Sequence, residues 1–270
     1  MLLTPVFKDE LATYGIVYDL NGGALPEGGF IPSSYQYSKT ASISLPKPER
    51  TGYSFLGWYN TVTNKKISSI AKGMTGNLHI EARWKANKYT VKFNTNGGNG
   101  SMSSQAMIYD QDALLNANKF KRVHHSFVEW NTAADGSGIA YTADTAYSNL
   151  CASGTIVLYA IWEEDPKQTY SISIDAVCDD YNHVGYNWEV EYQCDSQAIG
   201  DNYVITSYEG ENVQITVKIS ERDQYSESGK AVFAVKLVDG FVLSKTIKVT
   251  ENADRYKGYS ALWNVTIRVN

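Results

Sequence analysis

Few residues in this 270-residue chain have the type and spacing for chemistry. His124 and His125 adjoin, but neighbours on a strand point to opposite faces, so the pair does not offer two nitrogens to one metal ion. Asp179-Asp180 and Glu221-x-Asp223 supply the carboxylate pairs that glycoside hydrolysis uses. Both fall in expected turns with no evident partner across a cleft, and they read as solvated turn acids. The same acids offer oxygens to Ca²⁺, yet no alternating Asp/Asn loop closed by a bidentate Glu is present. The glycine-rich stretches 97–101 and 135–138 lack the Lys-Ser/Thr ending of a phosphate loop and read as turns. No Gly-x-Ser-x-Gly elbow occurs. Cys151, Cys178 and Cys194 make an odd count, which is no disulfide framework. Cys178 and Cys194 fall on the apolar side of alternating segments and read as buried thiols, with a mutual disulfide as the alternative. No CxxC or nearby His supports a metal role. The expectation is a chain without catalytic residues, metal or cofactor, and not an enzyme.

The aromatic residues need sorting. Trp58, Trp84, Trp130, Trp162, Trp188 and Trp263 fall at strand positions and read as core. Tyr181, Tyr186, Tyr225, Tyr256 and Tyr259 fall in turns, and Asp254-Arg255-Tyr256-Lys257-Gly258-Tyr259 mixes cations with Tyr in one loop. Tyr and Arg are favoured where binding energy concentrates, and loops at the end of a rigid scaffold commonly bind. Tyr181, Tyr186, Tyr225, Arg255, Tyr256, Lys257 and Tyr259 are the candidate binding residues.

The elements that position them are β-strands. Aromatics are 13%, with 20 Tyr, and charged residues only 20%. The formal net charge of −5 argues against a nucleic-acid partner, which favours a basic field. No apolar run approaches the roughly 18 residues of a membrane span.

An internal repeat organises the first 165 residues. Residues 14–23, ending Asn21-Gly22-Gly23, match residues 89–98, ending Asn96-Gly97-Gly98. Ser54-Phe55-Leu56-Gly57-Trp58 matches Ser126-Phe127-Val128-Glu129-Trp130, and the units close on Trp84 and Trp162. Asn-Gly-Gly predicts a tight turn in which both glycines take positive φ. The middle segment of the second unit carries a weak helix signal near 112–117.

Strand-Asn-Gly-Gly, Phe-x-Gly-Trp at Phe55 to Trp58, Trp130-Asn131-Thr132-Ala133-Ala134-Asp135-Gly136-Ser137-Gly138 and the closing Leu-Tyr-Ala-Ile-Trp resemble the Listeria–Bacteroides repeat, the B-repeat of internalin-like bacterial surface proteins. The resemblance covers roughly residues 14 to 163. It implies compact β-grasp-like modules displayed in tandem outside the cell, as spacers or adhesive units, and it brings no catalytic residues. Asn21, Gly22, Gly23, Trp58, Trp84, Asn96, Gly97, Gly98, Trp130 and Trp162 are then structural repeat residues. The second unit departs at Glu129, where the pattern has Gly, which puts the tight packing beside Trp130 in question. It also departs at His124-His125, where the pattern has Gly-Tyr and His125 stands in for a structural Tyr.

Beyond the acidic stretch at 163–167, alternation is strand-like throughout. Seven runs are expected, near 170–178, 186–194, 203–207, 211–219, 231–238, 241–250 and 261–269. Asp239-Gly240 signals a hairpin. This reads as an immunoglobulin-like sandwich. The fold class is therefore mainly β: an N-terminal arm (1–13), two β-grasp-like modules (14–87 and 88–165) and an immunoglobulin-like β-sandwich (166–270).

The expected function is adhesion or spacing, with a protein or glycan receptor as partner, at the bacterial cell surface or secreted. The residues after Met1 do not form a secretory leader. They leave open a piece of a larger secreted protein or a virion component, such as a head-decoration or fibre protein on a capsid. A carbohydrate-binding accessory module is a further reading. Leu2, Leu3, Val6 and Phe7 in the arm could dock the chain on a larger assembly. No heptad segment argues for trimerisation, and a homo-oligomer stays open.

Overall fold

The computed structural model describes residues 12–28, 31–37, 42–142, 145–223, 226–253 and 255–270. The arm residues Leu2, Leu3, Val6 and Phe7, and also Tyr225, lie outside the described residues. The described residues are all-β, with no helix among them, so none is long and apolar enough to cross a membrane. The chain divides into two compact units, 1–163 and 164–270.

In the first repeat the strands are β1 (Thr13–Asp19), β2 (Ser34–Gln36), β3 (Ile43–Ser44), β4 (Tyr53–Asn60), β5 (Lys66–Ile67), β6 (Ser69–Ile70) and β7 (Leu78–Ala86). The sheet order is β2-β1-β7-β4-β5, with β1 and β7 parallel at its centre. The second repeat has β8 (Lys88–Asn94), β9 (Gln105–Ile108), β10 (Ala113–Leu114), β11 (His125–Asn131), β12 (Ala140–Tyr141), β13 (Ala146–Tyr147) and β14 (Gly154–Glu164). Its sheet, β12-β11-β14-β8-β9, repeats the same order, again with a parallel central pair. This is the mixed sheet of a β-grasp with its helix replaced. The covering layer in each repeat is a two-residue ladder, β3 with β6 and β10 with β13.

The helix signal at 112–117 is thus overturned. The side chain of Gln105 holds this segment extended: its Nε2 donates to Leu114 O at 2.7 Å and its Oε1 accepts from Asn116 N at 2.8 Å. Leu115 is buried in the core between these two bonds.

Each repeat core is built round its first Trp. Trp58 packs against Tyr18 and Phe55, and its indole N–H donates to Pro46 O at 2.7 Å. Trp130 is fully buried among Phe93, Phe120 and Phe127 and donates to Asn116 O at 3.3 Å. Glu129 keeps this packing. In the first repeat Gly57 takes φ +135° at a bulge, whereas Glu129 is not among the positive-φ residues, and its Oε1 accepts from Asn131 Nδ2 at 3.0 Å. His124 takes φ +54° where Gly52 takes +77°, so the backbone there is shared although the residue is not.

The Asn-Gly-Gly turns differ from expectation in one respect. Asn21 and Asn96 take positive φ themselves, as do Gly22 and Gly97, whereas Gly23 and Gly98 do not. The last glycine is needed for space: a Cβ on Gly23 would sit 2.4 Å from the Trp84 ring, and one on Gly98 would sit 2.8 Å from that of Trp162. The same half-buried Trp residues donate to Leu20 O at 3.1 Å and Thr95 O at 2.9 Å, while Asn21 and Asn96 donate to Ala82 O and Ala160 O. Each turn is therefore tied to the closing strand by two side chains.

The repeats meet at Asn87. Its N–H donates to Gly52 O at 2.9 Å and its O accepts from Tyr109 N at 2.9 Å. Its side chain accepts from Ser54 Oγ at 2.6 Å and donates to Ala152 O at 3.1 Å. Tyr53 and Tyr109 rings meet edge to face at 5.7 Å, and Tyr53 donates to Asp110, which holds that carboxyl below its usual range. Replacing Asn87 and Tyr109 together with Ala is expected to cost about 1–3 kcal/mol and to split the unfolding of 1–163 into two calorimetric transitions. A single unshifted transition would show that this joint couples nothing.

The described residues of the second unit form a sandwich of eight strands: β15 (Gln168–Asp180), β16 (Trp188–Cys194), β17 (Gln197–Ile199), β18 (Asn202–Ser207), β19 (Asn212–Glu221), β20 (Ser228–Lys236), β21 (Val242–Thr250) and β22 (Ser260–Val269). The sheets are β18-β15-β22-β21 and β17-β16-β19-β20, with every neighbouring pair antiparallel. It shares the two-sheet architecture of immunoglobulin-like domains, with eight strands rather than seven and with its first strand beside its last.

The added strand is β17, which follows a two-residue turn at Asp195 and Ser196, both at positive φ. Asp239-Gly240 is not a hairpin. It is a turn between sheets, because β20 pairs with β19 and β21 with β22. Phe233 and Val235 from one sheet, Leu237 just beyond it, and Ile247 and Val249 from the other sheet are buried in the shared core. All three cysteines are free; Cys194 is buried and Cys178 half-buried, and burial raises both thiols.

Candidate functional site

Three connections converge at one end of the sandwich: 181–187 between β15 and β16, the described residues 222–223 and 226–227 between β19 and β20, and the described residues 251–253 and 255–259 between β21 and β22. Fully buried Val184 pins the first loop, with its N–H donating to Tyr181 O at 2.8 Å. The third is closed by Glu251 N to Tyr259 O and Gly258 N to Glu251 O, each 2.9 Å. The first and second are joined by Arg222 N to Asn187 O at 2.8 Å and by Asn187 Nδ2 to Arg222 O at 3.0 Å.

These loops bring Arg255, Tyr256 and Tyr259 together with a residue that the sequence did not flag, His183. The imidazole stacks on Tyr256 at 5.4 Å and 9°, and Tyr259 meets it edge-on at 5.9 Å. The Arg255 guanidinium lies 4.7 Å from the Tyr256 ring centre, within cation–π range. Tyr186 is 91% exposed. Together with Gly185, Asp223 and Glu251, His183, Tyr186, Arg255 and Tyr256 line an open depression of about 280 Å³. Tyr181 turns away to Trp188, 6.3 Å ring to ring, and Lys257 is exposed beside the cluster. Larger depressions, of about 440, 460 and 290 Å³, lie on the repeats. The first is lined by residues such as Ser101 and Lys119, and the second by Lys47, Arg50 and Trp84. The second also gathers Glu49, Tyr53 and Phe55, but its Phe55 and Trp84 rings are tilted against one another, whereas the sandwich depression holds His183 stacked parallel on Tyr256 where three loops meet, and we place the site there.

The carboxylates below the depression differ most from the sequence reading. Glu221 is not a solvated turn acid: it is 1% exposed, as the last residue of β19. Glu227 and Glu251 are 4% and 5% exposed. Burial pushes the Glu221 and Glu227 carboxyls above the usual range, and the neighbouring acids add to it. The other pair, Asp179 and Asp180, is exposed as expected but closes strand β15 at a register shift rather than lying in a turn: Asp179 accepts from Asn264, and Asp180 accepts from Asn182 N. His125 Nδ1 lies 2.7 Å from Val123 O, a local backbone contact.

Tandem helix-free β-grasp sheets followed by an antiparallel sandwich define a modular β-repeat protein. The model of the Listeria-Bacteroides repeat domain matches residues 14–83 and 89–161, more than half of the chain, and the chain belongs to that family. Two relatives come from Evansella cellulosilytica. One, provisionally named a membrane protein, is 26% identical over 243 residues, covering 86% of this chain and 34% of the relative. The other, provisionally named a Gly-rich membrane protein, is 26% identical over 168 residues, covering 62% of this chain and 18% of its own length. The chain thus spans about a third or less of these relatives.

Proposed function

We propose that this protein is a non-catalytic module displayed on the outer surface of a bacterial cell. In this reading the repeats serve as a spacer, and the sandwich end carries recognition of a protein or glycan receptor. The observation that carries it is the His183–Tyr256–Tyr259 stack with Arg255 and exposed Tyr186 around one depression. Aromatic rings and an Arg presented on loops of a rigid scaffold concentrate binding energy. Membership of the repeat family and the membrane-associated names of the relatives support the surface placement.

The test is binding of the full chain to a broad glycan array and to immobilised extracellular proteins. Tyr256→Ala is expected to weaken any saturable binding at least about tenfold, because it removes both the stacking partner of His183 and the surface under Arg255. Silence across both panels, or equal binding by this variant, would sink the reading.

A further inference from the structure

We propose that Glu221, Asp223 and Glu227 hold a divalent cation, Ca²⁺ by their ligand chemistry, beneath the depression at the sandwich end. One carboxylate oxygen from each lies within 4.8 Å of the others. Ca²⁺ binds oxygens at about 2.3–2.6 Å, so ligands on opposite sides of one ion stand about 4.6–5.2 Å apart. Three oxygens inside that limit can all reach a single ion.

A second observation is independent of the clustering. Glu227 is 4% exposed, and its Oε2 is buried with no hydrogen-bond partner. Among the described residues its Oε1 accepts a single long bond, 3.4 Å, from Asn252 N, and the neighbouring Glu251 carboxyl raises the cost of its charge. A buried acceptor without a donor costs free energy, and more so when it carries charge. Neither Glu221 nor Glu227 has a Lys or Arg ion-pair partner among the described residues.

The ligands are also held in place. Glu221 Oε2 accepts from Asp223 N at 2.8 Å and Oε1 from Asn187 N at 3.4 Å, leaving a lone pair on each oxygen. Gly185 leaves the space this carboxyl occupies: a Cβ there would stand 2.0 Å from Glu221 Oε1. Asp223 is exposed and lines the depression with Glu251, which gives an ion a path in and a further carboxylate beside it. Carboxylate-only ligation suits a hard cation. The site departs from the sequence expectation of no metal because its ligands flank a loop in no recognised motif. It stands beside the recognition end but does not rest on receptor binding.

The test is calorimetric titration of Ca²⁺ into the chelator-stripped full chain near neutral pH. Saturable binding is expected with a dissociation constant no weaker than about 1 mM, the range of extracellular modules. Glu227→Gln should weaken it at least tenfold. Asp223→Asn, at an exposed position where folding is safe, should weaken it as well. The proposal is overturned by no saturable binding up to about 10 mM Ca²⁺, well beyond that range. It is overturned equally by unchanged binding in both variants, or by tighter binding of Mg²⁺ than of Ca²⁺. Silence would mean that the buried acids are simply protonated.

Discussion

Trp130→Ala is expected to cost about 3–5 kcal/mol, the range for emptying a buried aromatic position. The indole is fully buried, touches three Phe rings and satisfies Asn116 O, so truncation leaves both a cavity and a carbonyl without its donor. The neighbours cannot close the gap easily. Phe93 is fixed on β8 and Phe127 on β11, and Phe120 sits in a loop where Lys121 bonds to Asn99 in both directions. Trp162→Phe is the control. It keeps most of the ring but loses the N–H bond to Thr95 O, for about 1 kcal/mol. Denaturant unfolding followed by far-UV circular dichroism measures both. A loss below 1 kcal/mol for Trp130→Ala would mean that the repeat core is not organised round this ring.

Much of the repeat architecture was legible because it is written twice. Trp58 and Trp130, and Trp84 and Trp162, stand at matching positions, and a residue that recurs in step with a strand pattern marks core. The role of the second glycine was not legible: Gly23 and Gly98 look like turn residues until the closing Trp ring is seen against them. Turn signals likewise report a reversal but not the partner. Asp239-Gly240 reverses the chain, yet the strands on either side stack face to face in different sheets. The missed strand β17 follows Asp195-Ser196, where two non-Gly residues take positive φ without the usual Asn-Gly or Asp-Gly signature.

The binding end was legible in part. Tyr256, Tyr259 and Arg255 share one loop, and their residue types suffice to nominate them. His183 joins them only through folding, across some seventy residues, and no local pattern foretells that stack. Glu221 was misread for a related reason. Its alternation with Val213, Ile215, Val217 and Ile219 continues the buried face of β19, so its position already placed it inside. The residue type pointed to solvent, and position prevailed because Gly185 and the backbone N–H groups of Asn187 and Asp223 enclose it.

That enclosure gives the second large expectation, at Gly185. Its φ is +24°, and a Cβ there would stand 2.0 Å from Glu221 Oε1 and 2.3 Å from its carboxyl carbon. No rotamer of the added methyl relieves this, because the Cβ position is set by the backbone. Either Glu221 must leave its place or loop 181–187 must lift from the sheet. Gly185→Ala is therefore expected to cost about 2–4 kcal/mol, a sum of steric overpacking and unfavourable backbone.

A double-mutant cycle separates these two costs. Glu221→Ala removes the group that the methyl would strike, so with Gly185→Ala the losses should fall short of additive by at least about 1 kcal/mol. Lifting the loop would also move His183 off Tyr256, so a variant that still folds should lose receptor binding along with stability. Strict additivity, or a Gly185→Ala cost under 0.5 kcal/mol, would mean that the glycine does not link the buried carboxylate to the recognition loop. The fold at this end would then be looser than its close contacts require.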